Sequence, residues 1–136
     1  MSSSPLDVAT VRLNSYDVLA PDGCEIRVLS RVAGASMAHG TLPAGRISQA
    51  IRHRSVEEIW YALSGAAEIW RRLGGEESLD LVSGGQSLAL PASCEFQFRT
   101  VGAEPFTFIM CTLPPWPGED EAISVTGKWE VVNDAL

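Results

Sequence analysis

A histidine and a glutamate separated by four residues, His53 and Glu58, are the side chains of this sequence best suited to chemistry. An imidazole titrates near neutral pH, and burial can raise the pKa of a carboxyl toward the same range, so the pair can exchange protons with a bound molecule. Both side chains are also common metal ligands. A buried hydrogen-bonded pair with no chemical role is the third interpretation, and at this point all three stay open.

Two further side chains are candidates for such a site. His39 is the only other histidine, and it is interpreted either as a hydrogen-bonded histidine of the fold or as a third metal ligand. Cys94 could act as a nucleophile only beside a base that lowers its pKa. The cysteines are widely spaced, odd in number and form no C-x-x-C pair, so we expect reduced thiols and no disulfide framework or zinc site.

Composition limits the classes of partner. The chain has 136 residues, of which 46% are hydrophobic, which suits one compact domain with a real core. Its formal net charge is −7, so it offers no phosphate-neutralising surface to nucleic acids or anionic membranes. No apolar run approaches the ~20 residues that span a bilayer, and the first residues lack a secretion signal. We expect a single cytoplasmic domain over 1–136, with 1–7 flexible.

These residues must be positioned by strands. Turn signals recur about every 8–12 residues, the spacing of an all-β sandwich or barrel. Proline and glycine interrupt the longer stretches, and helices below ~12–15 residues are marginal on their own. Strands are predicted at 25–29, 35–42, 46–53, 58–63, 66–72, 78–82, 86–90, 95–100 and 105–113.

Two glycine-led motifs lie on these strands, within 45–100. The first reads Gly45, five residues, Ile-Arg-His, four residues, Glu58, six residues, Gly65. The second reads Gly85, five residues, Pro-Ala-Ser, two residues, Phe96, three residues, Thr100. In order and spacing they resemble the two cupin motifs, G-x5-H-x-H-x3–4-E-x6-G and G-x5-P-x-G-x2-H-x3-N. The resemblance covers roughly 24–113 and implies an all-β fold, a single-domain cupin jelly-roll β-barrel, also called a double-stranded β-helix.

The departures from these motifs concern the metal ligands. The four positions that bind metal in cupins hold Ile51, His53, Glu58 and Phe96 here. Isoleucine and phenylalanine carry no donor atom, which leaves two ligands where a catalytic metal wants at least three. We therefore predict no metal and no other cofactor. The alternative is a metal site rebuilt from His53, Glu58 and His39.

Alternation along strands predicts which side chains share the pocket, because residues i, i+2 and i+4 lie on one face. His53 and Glu58 are the predicted catalytic residues. Aromatic side chains beside them would hold a small, partly apolar or aromatic molecule. The predicted pocket-lining residues are Gln49, Ile51, Trp60, Phe96, Phe98 and His39.

Three functions follow as hypotheses. The first is a small-molecule cupin with metal-independent isomerase, cyclase or lyase chemistry, in which His53 is the general base or acid and Glu58 orients it or transfers the proton. The resemblance supports this, since metal-free cupins include sugar epimerases. The second is a non-catalytic ligand-binding cupin, and the third is a metal-dependent, dioxygenase-like cupin with the rebuilt site.

Two predictions concern surfaces. Ile59, Tyr61 and Leu63 should point away from Glu58, giving a strand with two apolar faces, and we expect a second copy to cover the outer one in a homodimer. The segment 113–136 is predicted to be extended, because prolines exclude its first part from a central strand. That part is expected to cross the pocket mouth or a partner subunit, and 122–132 to add an edge strand.

Overall fold

A computed structural model describes residues 17–20 and 22–131 of the chain. The predicted flexible segment 1–7 lies outside the described residues. The strands are β1 Val18–Leu19, β2 Glu25–Val32, β3 Ala35–Leu42, β4 Ile51–His53, β5 Glu57–Ser64, β6 Ala66–Leu73, β7 Glu76–Ser83, β8 Ser87–Leu90, β9 Glu95–Val101, β10 Phe106–Leu113 and β11 Ala122–Ser124, and a 3₁₀ turn spans Glu119–Glu121. No described helical segment has the length and apolar character needed to cross a membrane.

The strands form two sheets in which every described pairing is antiparallel. The six-stranded sheet has the order β1-β2-β3-β10-β5-β8, and the five-stranded sheet has the order β11-β4-β9-β6-β7. Neighbours that are distant in sequence, such as β3 and β10, show that the chain crosses repeatedly between the sheets. The prediction of an all-β fold is confirmed.

Side-chain alternation on β5 shows why the sequence folds this way. Glu58, Trp60 and Ala62 are buried, whereas Ile59 and Tyr61 between them are exposed. Since successive side chains of a strand point to opposite faces, one face of β5 packs inside and the other faces outward. The motif residue Glu58 is thereby carried into the interior on a strand that is paired on both sides, with β10 and β8.

An aromatic cluster joins the two sheets. Trp60 of β5 stacks on Phe108 of β10 with ring centroids 4.2 Å apart, and its edge contacts involve Phe96 and Phe98 of β9 at 5.7 and 5.0 Å. All four side chains are at most 1% exposed. Offset and edge-on pairs of this kind add to the free energy of burial, so this cluster stabilises the packing of the two sheets.

The turn between β5 and β6 requires a glycine. Gly65 has φ +75°, and a Cβ there would overlap the carbonyl oxygen of Pro105. We expect Gly65→Ala to lose about 1–2 kcal/mol of folding free energy to left-handed strain and about 1–3 kcal/mol more to the clash. Urea unfolding measures the loss. Gly74→Ala is the matched control, because Gly74 has φ +59° but open space where its Cβ would lie, with no atom within 4 Å; equal losses in the two variants would contradict the clash.

The C-terminal segment returns to the sheet that carries His53. Ala122–Ser124 pairs antiparallel with Ile51–His53, with Ala122 opposite His53, at the edge of the five-stranded sheet. The predicted edge strand is therefore present over three residues, and the last position of the predicted range, 132, lies outside the described residues. The pairing fixes the backbone of β4 from the side away from β9.

Candidate functional site

A cavity of about 550 Å³ lies between the sheets and contains both predicted catalytic side chains. Its wall combines aliphatic and aromatic side chains with one imidazole and two buried carboxyls, those of His53, Glu58 and Asp22. Ile51, Trp60 and Phe96 also line it. An apolar cavity with a few convergent polar groups is the usual form of a small-molecule site.

His53 presents an imidazole with little internal support. Its ring is 5% exposed and lies edge-on between Phe96 and Trp116, with centroid distances of 5.3 and 5.2 Å. Burial lowers the pKa of His53, and the negative charges of Asp22 and Glu121 oppose that shift in part. No hydrogen bond joins the imidazole to another described residue, so its nitrogens are left to a ligand or water.

Glu58 is held on both carboxylate oxygens. The indole N–H of Trp60 donates to Oε1 at 2.9 Å, and the hydroxyl of Thr112 donates to Oε2 at 2.7 Å. Thr112 can do so because its strand pairs with β5 in a register that puts it directly opposite Glu58. Burial raises the pKa of Glu58 in spite of these two bonds. The two hydrogen bonds therefore fix the carboxyl in one position.

Asp22 is a site residue that sequence reasoning missed. It belongs to a Pro-Asp-Gly turn, and such turns are normally exposed, so no sequence signal marked it. In the structure it is 7% exposed and lines the cavity, because its backbone oxygen accepts a hydrogen bond from Gln49 N at 2.9 Å, which ties the turn to the chain entering β4. Burial raises the pKa of Asp22, and the Glu58 charge adds to this.

The prediction that Gln49 lines the pocket is wrong, because regular strand geometry begins only at Ile51 and not at 46. Before it, Ser48 is fully buried and bonded to Phe98 of β9 through both its backbone N–H and its hydroxyl oxygen, and Ala50 and Ile51 are buried in succession. Two consecutive buried residues break the alternation on which the prediction rested. Gln49 is exposed.

His39 and Phe98 also lie away from the cavity wall. In β3, His39 pairs with Ile109 of β10, and Ile109 pairs with the exposed Tyr61 of β5. Since directly paired residues lie on one face of a sheet, His39 lies on the outer side. Phe98 is fully buried and packs against Trp60 and Phe108 of the aromatic cluster, but it does not line the cavity. The predictions that these two side chains line the pocket are wrong, and a metal site rebuilt with His39 is excluded by its facing.

Comparison with known proteins rests on structure alone. No family model matches the chain, and no curated protein matches it in sequence. KdgF from Halomonas sp. superimposes with a TM-score of 0.62 and 16% identity, covering 74% of this chain and 88% of that one. The cupin domain of Schizosaccharomyces pombe Cnp3 gives 0.60 and 11%, covering 67% and 64%. The chain has the cupin fold.

A larger protein contains the same unit. Oxalate decarboxylase from Bacillus subtilis superimposes with a TM-score of 0.66 and 16% identity over 80% of this chain. The superposition spans only 29% of the decarboxylase chain. These superpositions support the jelly-roll fold that the two motifs implied. Because the identities are low, they show the fold alone.

The donor set of this cavity does not fit the four-ligand metal centre of the motifs. Ile51 and Phe96 offer no donor atom, and both Glu58 oxygens already accept hydrogen bonds. Within 17–20 and 22–131, no three His, Cys, Asp or Glu side chains are grouped so that they could hold a metal ion. We therefore derive no chemical step through a metal ion at this site.

Cys94 has no feature of an activated nucleophile. Cys94 is 3% exposed and belongs to the hydrophobic core. Burial raises the pKa of Cys94, which disfavours the thiolate that a nucleophile requires. The thiol donates to the neighbouring Glu95 carbonyl at 3.6 Å, a local contact that needs no chemical role.

Trp116 is a second cavity residue that the motifs did not indicate. It follows the strand β10 in a proline-rich segment, lines the cavity and is 38% exposed. Its backbone N–H donates to the hydroxyl of Ser36 at 3.1 Å, which holds the segment against β3. The prediction that this segment crosses the pocket mouth agrees with that position.

Glu121 anchors the chain behind the site. Its carboxylate accepts hydrogen bonds from Ser55 N and Oγ at 2.5 and 2.8 Å and from Val56 N at 2.7 Å. Burial alone would raise its pKa, but these bonds bring the pKa below its ordinary value of 4.5. The carboxylate thus closes the turn between β4 and β5, the two strands that carry His53 and Glu58.

Replacing this anchor gives a pH-dependent prediction. We expect Glu121→Gln to lose about 1.5–3 kcal/mol of folding free energy at pH 7, the range for a hydrogen bond to a charged group. Because the pKa is lower in the folded than in the unfolded chain, this stabilisation is complete above 4.5 and disappears as pH falls through the folded-state value. Urea unfolding at several pH values measures it. Glu104→Gln, in an exposed turn, should change nothing; a pH-independent loss at Glu121 would contradict the mechanism.

Proposed function

We propose that this cupin binds a small, largely apolar molecule between its sheets and moves protons on it without a metal. The observation that carries the proposal is the cavity of about 550 Å³, in which one imidazole and two buried carboxyls share an otherwise mostly apolar wall. Aromatic surfaces of Trp60, Phe96 and Trp116 suit a ring or an unsaturated chain. Such a ligand would place its reacting carbon or oxygen beside His53.

The charge environment supports proton transfer. Burial lowers the pKa of His53 and raises those of Asp22 and Glu58. The imidazole and the carboxyls therefore approach one another in proton affinity, which reduces the free energy needed to pass a proton between them. Isomerisation through an enol requires a base that removes a proton from carbon and an acid that protonates oxygen, and these groups can supply both.

The test is hydrogen exchange in D₂O. Protein purified without chelators is first analysed for metal by mass spectrometry, then incubated with EDTA and a panel of small cyclic and aromatic ketones. We expect deuterium to enter at least one compound at carbon next to the carbonyl, and NMR follows it. A stoichiometric metal whose removal abolishes exchange would contradict the metal-independent proposal.

The alternative function is a binding module without chemistry. It is favoured by one observation, that both oxygens of Glu58 are satisfied inside the protein by Trp60 and Thr112. A carboxylate held in that way can serve the structure alone. Saturable binding of a panel compound, measured by calorimetry, with no deuterium incorporation would support this function over the first.

We also propose that the partner on the outer face of the six-stranded sheet is a second copy of the chain. Ile59 and Tyr61 are 53% and 49% exposed there. His39 and Tyr61 both pair with Ile109 across this face, and Nδ1 of His39 is buried with no hydrogen-bond partner among the described residues. Exposed apolar faces commonly mark protein–protein contacts, and two-fold dimers are the commonest homo-oligomers.

Light scattering after size exclusion tests this partner. We expect a dimer for the wild type and a shift toward monomer for Tyr61→Lys, because the charge would be buried in the interface. Leu81→Lys is the control, since Leu81 is 61% exposed on β7 of the other sheet. A monomeric wild type at tens of micromolar, or equal effects of the two substitutions, would contradict the proposal.

A further inference from the structure

The two buried carboxyls of the cavity differ in how fully they are hydrogen-bonded. Glu58 accepts strong donors on both oxygens, from Trp60 and Thr112. The described donors to Asp22 both belong to Cys24, the backbone N–H at 3.0 Å from Oδ1 and the thiol. A thiol is a weak donor. Asp22 therefore retains acceptor capacity that Glu58 has already used.

The position of Asp22 in the cavity also favours it as the carboxyl that acts on a ligand. Asp22 lies in the turn before β2, tied by its backbone to Gln49, and it shares the cavity wall with His53. Among the charges that act on the imidazole, that of Asp22 raises the pKa of His53 most, followed by that of Glu121. The remaining titratable groups that line the cavity are Glu58, the Cys24 thiol, whose pKa burial raises well above its ordinary value, and the exposed rim residue Arg31.

We propose that Asp22 is the carboxyl that exchanges a proton with the ligand opposite His53, and that Glu58 is a positioning residue that fixes Trp60 and Thr112. This assignment rests on the proposed function, and it replaces Glu58 as the proton-transferring partner. It places one catalytic group in a turn that lies outside both sequence motifs.

The proton balance of the step is simple. The pair shares one proton, and the charge of Asp22 acts on His53 in the form that keeps this proton on the imidazole. In the other form, with neutral His53 and protonated Asp22, His53 takes a proton from a carbon next to the ligand carbonyl, and the C–H electron pair forms a C=C bond. The carbonyl π electrons pass to oxygen, which takes the proton of Asp22, so that a ligand with a neighbouring C=C bond becomes a dienol. The resulting imidazolium then gives its proton to the far end of the dienol, and the enol O–H proton returns to the Asp22 carboxylate. The net result is an isomerised ligand and an unchanged protein, with no oxidant or co-reactant.

Matched isosteric variants test the assignment through the exchange assay. We expect Asp22→Asn to slow deuterium incorporation about 10²–10⁴-fold, the range for a general acid or base. Glu58→Gln should weaken ligand binding and lower the unfolding midpoint, and it should slow exchange less than Asp22→Asn does. Asp120→Asn, an exposed loss of the same charge, should change neither. Equal exchange in Asp22→Asn and wild type, or the largest loss of exchange in Glu58→Gln, would overturn the assignment.

A ligand-free measurement separates this inference from the proposed function. The chain has two histidines, so NMR titration resolves His53 once His39→Gln identifies the other signal. We expect Asp22→Asn to lower the pKa of His53, because it removes the charge that raises it, and Glu58→Gln to leave it nearly unchanged. An unshifted His53 in Asp22→Asn overturns the pairing even if exchange occurs.

The combined results have distinct meanings. If Asp22→Asn lowers the pKa of His53 but the wild type exchanges no panel compound, the proposed function is contradicted and the Asp22–His53 pair is supported. Exchange that survives Asp22→Asn would keep the proposed function and remove Asp22. If Asp22→Asn does not fold, Asp22→Glu serves instead: it keeps the charge but moves the carboxyl by one methylene, and it should slow exchange while His53 stays titratable.

Discussion

Removing the imidazole of His53 is expected to slow deuterium exchange into the ligand about 10²–10⁴-fold, the usual contribution of a positioned acid or base. The ring lies between Phe96 and Trp116 with no hydrogen bond to a described residue, so little of its role is structural. The variant His53→Ala should bind the ligand within a few-fold of wild type. Exchange rates followed by NMR and affinities measured by calorimetry separate the two effects.

The control for this prediction is the other histidine. His39 lies on the outer side of the six-stranded sheet, outside the cavity, so His39→Ala should exchange at the wild-type rate. The pH profile provides a second check. Since burial lowers the pKa of His53, the rate should rise with pH through a value below the ordinary 6.5 of an imidazole. Full exchange by His53→Ala would remove the acid–base assignment.

Trp60→Ala is expected to cause the largest loss of stability in this chain. Truncating a buried tryptophan typically loses about 3–5 kcal/mol, and Trp60 is 1% exposed in contact with Phe96, Phe98 and Phe108. It also donates to the buried Glu58 carboxyl, and leaving that group unsatisfied loses about 1–3 kcal/mol more. Since the total stability of a domain is about 5–15 kcal/mol, we expect a large unfolded fraction of this variant at physiological temperature.

A conservative variant divides these two effects. Trp60→Phe keeps an aromatic ring in the cluster but removes the N–H that reaches Glu58. We expect it to lose less folding free energy than Trp60→Ala in urea unfolding, and to make the pKa of Glu58 rise further, because a hydrogen bond that lowers it is gone. If Trp60→Phe were as unstable as Trp60→Ala, the hydrogen bond and not the packing would dominate.

The strand architecture could be predicted because it follows from local signals. Turn residues bounded the strands, and Ala35–Leu42 has the predicted bounds. Alternation along β5 put Glu58 and Trp60 on one face, and both line the cavity. The rule failed before β4, where the chain from 46 to 50 bends to pack Ser48 and Ala50 inside. Period-two reasoning needs a regular strand, and only the structure shows where one begins.

The candidate site was less predictable, because it depends on contacts between distant segments. Asp22 is buried only because the segment before β4 folds over its turn, and His39 faces outward only because of the register that β3 adopts. Neither property is encoded in nearby residues. Trp116 likewise reaches the cavity through a proline-rich segment whose path is set by its bond to Ser36. The motifs predicted the positions of His53 and Glu58, and the folded chain adds Asp22 and Trp116, which lie outside the motifs.

The return of the C-terminal segment to β4 bears on how far the functional unit extends. A fragment ending at Leu113 would contain both motifs in full and every residue used to recognise them. It would nevertheless lack the indole beside His53, the carboxylate that closes the turn between β4 and β5, and the strand that flanks Ile51–His53. Boundaries drawn around the motifs alone would therefore yield a protein that keeps both motifs but lacks the segment that holds the His53 side of the cavity in place.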